Sequence, residues 1–161
     1  MKSLVPLALA LLASLAAPSQ AANVTGNPQA VRGLFDRWGF APGAISENEG
    51  VPWFETNIDG IGALVGLGGC TGGRNCTYLT LSAVYSDVPN PPFEWLNDQN
   101  ALYDQVTALR NEAGLLSVRA AVMLGSEGVP ETTLRVAIGD WARANGEIAE
   151  RAIRAGLARE Q

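Results

Sequence analysis

Histidine is absent from this chain of 161 residues, and lysine occurs once, at Lys2. Those two gaps remove the usual general base, the commonest metal ligand and the Schiff-base amine, so most familiar active sites cannot be assembled from what remains. Cysteine is almost as scarce, at Cys70 and Cys76 alone. Basic residues are few as well: beyond residue 21 there are 10 Arg against 16 Asp and Glu, a net charge of −6. A nucleic acid or an anionic membrane surface needs clustered cations, and this balance argues against both as partners.

The only long apolar run lies at the N-terminus. Lys2 precedes an apolar stretch from Leu4 to Leu15, and Ser19-Gln20-Ala21 places small residues at the two positions read by a signal peptidase. The run falls short of the ~20 residues that span a bilayer, and Pro18 closes it. The expectation is a signal peptide over residues 1–21, cleavage after Ala21, and a single soluble domain over residues 22–161 in the periplasm or outside the cell. No membrane insertion is expected after cleavage. The acceptor patterns Asn23-Val24-Thr25 and Asn75-Cys76-Thr77 are read as chance in a bacterial protein.

After Asn27 and Pro28, the residues Val31, Leu34, Phe35 and Trp38 recur at helical spacing up to Gly39. From Val51 to Asp59 the sequence alternates as a strand does, and Asp59-Gly60 supplies a turn into a second strand, Ile61 to Gly69. That strand carries Ala63, Val65 and Leu67 on one face and Gly62, Gly66 and Gly68 on the other. A third strand runs from Cys76 to Tyr85. A proline-rich connector, Asp87 to Pro92, leads to a short helix from Phe93 to about Leu102. Gln105 to Arg110 and Leu115 to Leu124 then flank Asn111-Glu112-Ala113-Gly114 as a hairpin. Pro130 opens a long final helix with Leu134, Ile138, Trp141, Ile148 and Ala152 on its apolar face. The fold expected is α+β: helix, three-stranded antiparallel meander, helix, β-hairpin, long C-terminal helix.

Several groups of residues have the composition of chemical sites. Cys70 and Cys76 flank a short loop between strands that should pair, and in an exported chain two cysteines usually form a disulfide. Closing so small a loop is worth about 2.4 kcal/mol in the chain-entropy model. The spacing is not that of a redox CxxC, and neither Lys nor His stands nearby to activate a thiolate. The glycines from Gly60 to Gly73 lead into a strand and lack the GK[ST] of a phosphate loop. Asp98, Asn100 and Asp104 lack the glycine and the closing glutamate of a calcium loop. Glu47, Glu49 and Asp59 would act as acid and base only if folding gathered them. No catalytic, cofactor-binding or metal-binding residue is therefore assigned. Trp38 and Trp141 are expected in the core, whereas Trp53, Phe54 and Trp95 are the candidate partner surface.

The order of elements resembles the YbjN-domain family, whose fold is similar to that of type III secretion chaperones. The residues that carry the resemblance are Trp95-Leu96-Asn97 and Asn100 on the second helix, the hairpin leading to Leu124 and Gly128-Val129, and Leu134 and Trp141 on the last helix. The Cys70…Cys76 pair is similar to that of exported members. The resemblance implies a chaperone-like α+β fold and a role in regulating sensory transduction, with no catalytic residue, cofactor or ligand attached. A non-enzymatic periplasmic module that binds a protein or peptide is the expected function. The alternatives are a carboxylate-based envelope enzyme or small-ligand sensor, and a structural subunit of an envelope assembly. Self-association into a homodimer through an open sheet edge is also expected. For the last helix two readings stand: its small residues Gly139 and Gly146 pack closely onto the Gly62, Gly66, Gly68 strip, or they face solvent.

Overall fold

A computed structural model describes residues 23–159, so the expected leader, residues 1–21, lies outside the described residues. The elements are α1 (Pro28–Arg37), β1 (Ser46–Asn48), β2 (Val51–Ile58), β3 (Ile61–Gly68), β4 (Tyr78–Pro89), α2 (Phe93–Asn100), β5 (Val106–Arg110), β6 (Leu115–Met123) and α3 (Glu131–Arg154). The strands form one antiparallel sheet in the order β1-β2-β3-β4-β6-β5. The fold is α+β, as expected from the sequence.

Local chemistry explains most of the boundaries. Asn27 caps α1 by accepting the Ala30 N–H at 3.0 Å, and Pro28 occupies the first turn, where a missing N–H costs nothing. The β2–β3 turn has φ of 52° at Asp59 and 89° at Gly60, the two left-handed positions of a type I′ hairpin. Asn57 reinforces it by accepting the Gly60 N–H at 2.8 Å.

The meander has one strand more than the sequence suggests. Glu49 and Gly50 make a second turn with both φ values positive, and it folds β1 back onto β2. All three residues of β1 are exposed, so no apolar alternation marks it. β4 starts two residues later than expected, at Tyr78, and continues to Pro89 through an irregularity between Tyr85 and Pro89. Part of the proline-rich connector is thus strand.

The core lies between one face of the sheet and the helices. Phe54 and Ile58 of β2, Val65 and Leu67 of β3, Leu79 and Leu81 of β4, and Leu116 and Val118 of β6 are fully buried there. Val31, Leu34 and Phe35 meet them from α1, Leu96 from α2, and Leu134, Ile138, Trp141 and Ile148 from α3. Phe35 packs edge-on to Phe54 with ring centroids 5.4 Å apart. Trp141 is wholly enclosed, and its indole N–H donates to the Val118 carbonyl at 3.4 Å. Trp38 differs from expectation: it is the C-cap of α1 and only half-buried, its indole N–H donating to Glu131 at 3.0 Å.

Cys70 and Cys76 are joined as a disulfide. Cys76 is buried, and its N–H donates to the Gly26 carbonyl at 2.9 Å. A Cβ at Gly26 would fall 1.7 Å from the Cys76 carbonyl oxygen, so only glycine allows this approach. Val24 exchanges two backbone hydrogen bonds with Val129, at 2.7 and 3.1 Å. The first described residues are thereby tied to both the disulfide loop and the start of α3.

Docking of α3 on the glycine strip does not occur. α3 lies over β4, β6 and β5, on the face from which Ala63, Val65 and Leu67 project, whereas Gly62 and Gly66 belong to the other face. A Cβ at Gly139 or Gly146 would meet nothing within 4 Å outside the helix itself. Asn145, on the same helix, is buried, and Tyr85 donates to its Oδ1 at 3.1 Å. With open space at Gly146, Gly146→Ala should raise stability by roughly 0.5–1 kcal/mol through helix propensity. Gly146→Leu should leave the urea midpoint unchanged or slightly higher. A loss of several kcal/mol in either variant would restore the docked arrangement.

Candidate functional site

Because the helices lie on one side, the other face of the sheet has no layer over it among the described residues. Antiparallel pairing arranges its residues in rows across the strands. One row runs Trp53, Gly66, Thr80, Ala121, and the next runs Glu55, Leu64, Ser82, Arg119, Thr107. Beyond it lie Asn57 and Gly62, then Val84, Ser117 and Leu109. On the opposite flank Gly68, Tyr78 and Met123 form a row, with Val51 beside them on β2. Met123 is 67% exposed, Val84 52%, Val51 44% and Leu64 41%, which makes this a contiguous, partly apolar surface rather than scattered side chains.

The centre of the face is low because its residues are small. A Cβ at Gly66 would meet Thr80 Oγ1 at 2.9 Å, and one at Gly68 would overlap the Tyr78 ring. Thr80 and Tyr78 therefore lean over the glycines of β3. Shallow depressions remain around Gly62, between Glu55, Leu64 and Val84, and around Thr80 and Ala121 beside Arg119. Glu55 and Arg119 stand on opposite sides of the face in one row, and among the described residues neither makes an ion pair.

Of the expected partner surface, Trp53 is here and half-buried. Phe54 is a correction: it is 0% exposed, because alternation along β2 turns it into the core while Trp53 and Glu55 face outward. Trp95 is half-buried on α2 and packs against the core on the helix side, so it does not share a surface with Trp53. Leu64, Val84 and Met123 were not singled out in the sequence. Their outward alternation was readable, but not that the face they point to stays bare.

Both sheet edges are blunted against pairing. Asn100, at the end of α2, donates from Nδ2 to the Ala108 carbonyl at 3.0 Å and accepts the Ala108 N–H on Oδ1 at 2.7 Å. Ala108 is a central residue of edge strand β5, and its side-chain partner satisfies both groups that a further strand would use. Asn97, three residues earlier, is exposed. The other edge, β1, is three residues long and polar. Pairing through β5, a route to the self-association first expected, would have to displace Asn100 from Ala108. Asn100→Ala would strand both groups of Ala108, which is 2% exposed, and should cost about 1–3 kcal/mol. Urea unfolding measures it, and an unchanged midpoint would show that the amide is not holding the edge.

A charged cluster on α3 completes the candidates. The Tyr103 hydroxyl donates to Glu147 Oε2 at 2.5 Å and Arg143 donates to Oε1 at 2.9 Å. Arg151 is 4.0 Å from the same carboxylate, and Glu150 pairs with Arg154 at 3.4 Å. The bond from Tyr103, then that from Arg143, holds the Glu147 carboxyl below its ordinary pKa of 4.5. Tyr103 is raised in turn, first by burial and then by its bond to Glu147. Tyr85 is likewise raised, by burial and then by the charge of Asp87. A depressed carboxyl stabilises the fold fully above its unfolded pKa and loses that contribution as pH falls through the folded value. Glu147→Gln should therefore flatten the decline of Tm in acid, below pH 4.5, while changing little of the slope near neutrality. Thermal melts of both proteins over that range decide it.

The carboxylates proposed for an enzyme are dispersed. Asp59 borders a groove beside α3, Asp104 lies near β5, and Glu47 is at the β1 edge close to Gly73. Among the described residues no three His, Cys, Asp or Glu are grouped to hold a metal ion, and no described helix is long and apolar enough to cross a membrane.

Neither a family model nor a curated protein matches the sequence. Solved structures do match the fold. YbjN from E. coli, named as a candidate transcription regulator, superposes with a TM-score of 0.62 over 86% of this chain and 100% of its own, at 17% identity. An uncharacterised protein from Methanothermobacter thermautotrophicus superposes at 0.55 over 81% and 98%, with 11% identity. At such identities the likeness is one of backbone, and on it this chain is an α+β protein with the YbjN-like fold.

Proposed function

We propose that this chain is an exported, non-enzymatic module that binds a protein through the helix-free face of its sheet, in a regulatory or chaperone-like role. The observation that carries the reading is the face itself. Leu64, Val84 and Met123 stand exposed beside half-buried Trp53 on a rigid sheet, with small residues between them, and aromatic or aliphatic anchors around shallow depressions suit a protein partner. The disulfide fits an oxidising compartment, in keeping with the leader expected over residues 1–21.

A regulatory role also agrees with the name of the E. coli neighbour. DNA is not the proposed partner: 10 Arg against 16 acidic residues beyond residue 21 leave too little positive charge to follow a phosphate backbone. Catalysis is set aside because the exposed carboxylates are dispersed and the chain has no histidine.

Photo-crosslinking in living cells tests the reading. A crosslinking amino acid in place of Val84 should give a discrete protein adduct, whereas one in place of Gln29, exposed on α1, should not. Equal yields from both positions, or no adduct from Val84, would overturn it.

A further inference from the structure

Rows of the open face are complementary to themselves under a two-fold rotation. We propose that its occupant is a second copy of this chain, packed sheet to sheet about an axis running along the strands between β3 and β4. The proposal rests on the protein-binding reading above and names the partner.

The sheet order decides which residues would meet. An axis between β3 and β4 exchanges β3 with β4 and β2 with β6, and it keeps each row opposite itself. In the row Glu55, Leu64, Ser82, Arg119, each Glu55 then faces the other copy's Arg119, and each Leu64 faces a serine. In the row Trp53, Gly66, Thr80, Ala121, the large indole faces the small Ala121, where a depression lined by Thr80, Arg119 and Ala121 is open to receive it. In the next row Val84 faces the other copy's Gly62, again at a depression. On the far flank Val51 faces Met123, both exposed and apolar, and the Tyr78 rings, which lean over Gly68 toward the axis, come together.

Opposite charges meet in one row, and in the others large residues meet small or apolar ones. The unpaired state of Glu55 and Arg119 among the described residues has a purpose in this arrangement. Two twisted sheets packed in this way cross at about 30° and lie roughly 10 Å apart. Four strands by four rows cover roughly 500 Å² per copy at ordinary strand spacings. The resulting total of about 1,000 Å² is in the range of weak, reversible complexes.

Charge reversal tests both the partner and the geometry. The purified oxidised protein should sediment as a concentration-dependent dimer. Glu55→Arg and Arg119→Glu each set like charges opposite each other twice per dimer and should weaken association by roughly a hundredfold, with the circular dichroism spectrum and Tm unchanged. Mixing the two variants should restore dimerisation, because each pair in the mixed dimer again unites an arginine with a glutamate; the doubly reversed E55R/R119E chain should also dimerise with itself. A wild type that remains monomeric at high micromolar concentration, or single variants that dimerise normally, would overturn the inference. So would a mixture that stays monomeric. The crosslink from Val84 separates this failure from that of the wider reading: an adduct with a different protein removes the second copy but leaves the protein-binding surface, and no adduct removes both.

Discussion

The pairing of β4 with β6 is the interaction on which the remaining structure depends. It runs in unbroken register from Tyr78 opposite Met123 to Tyr85 opposite Leu116, and it joins the N-terminal meander to a hairpin that arises after α2. Without it the chain would hold two small sheets, each too narrow to support a layer of helices. With it, Leu79, Leu81 and Ala83 align with Leu116 and Val118 as a continuous apolar floor, and α3 has a surface long enough for Leu134, Ile138, Trp141 and Ile148. The Tyr85 hydroxyl bond to Asn145 links the same strand to the same helix and sets their relative position with a polar contact inside a mainly apolar layer.

One consequence is a two-layer molecule whose sheet is dry on one side and wet on the other. An antiparallel sheet tolerates this, because alternation separates the two sets of side chains. Its edges are less tolerant, and the chain blunts them differently: β1 is short and polar, and at the middle of β5 Asn100 satisfies the N–H and carbonyl of Ala108. With its edges blunted, the sheet presents mainly its broad face, and Glu55 and Arg119 give that face a direction.

Much of the architecture was legible beforehand for reasons visible in particular residues. Val31, Leu34 and Phe35 keep helical spacing after a strong cap, Asp59-Gly60 has the chemistry of a two-residue turn, and Leu79, Leu81 and Ala83 alternate cleanly. Trp95, Asn97, Asn100 and Trp141 were noted as a pattern, and of these Asn100 and Trp141 have plain structural work, one on an edge and the other in the core. Phe54 was misplaced because it adjoins Trp53, and neighbours on a strand always face opposite sides. β1 escaped notice because three exposed polar residues carry no periodicity.

The sequence by itself determined every element but β1, the Asp59-Gly60 turn, the cysteine pairing and the exclusion of histidine- or lysine-based chemistry, since all of these follow from residue type and near-neighbour spacing. Only the tertiary structure decided that β6 rather than β5 lies against β4, that all helices cover one face, and that Gly139 and Gly146 face open space instead of the β3 glycines. Those outcomes depend on contacts between residues far apart in the chain, where local periodicity carries no information. The same holds for the row that places Glu55 and Arg119 on opposite sides of one open face: 64 positions apart in sequence, they are brought into register only by three successive strand pairings.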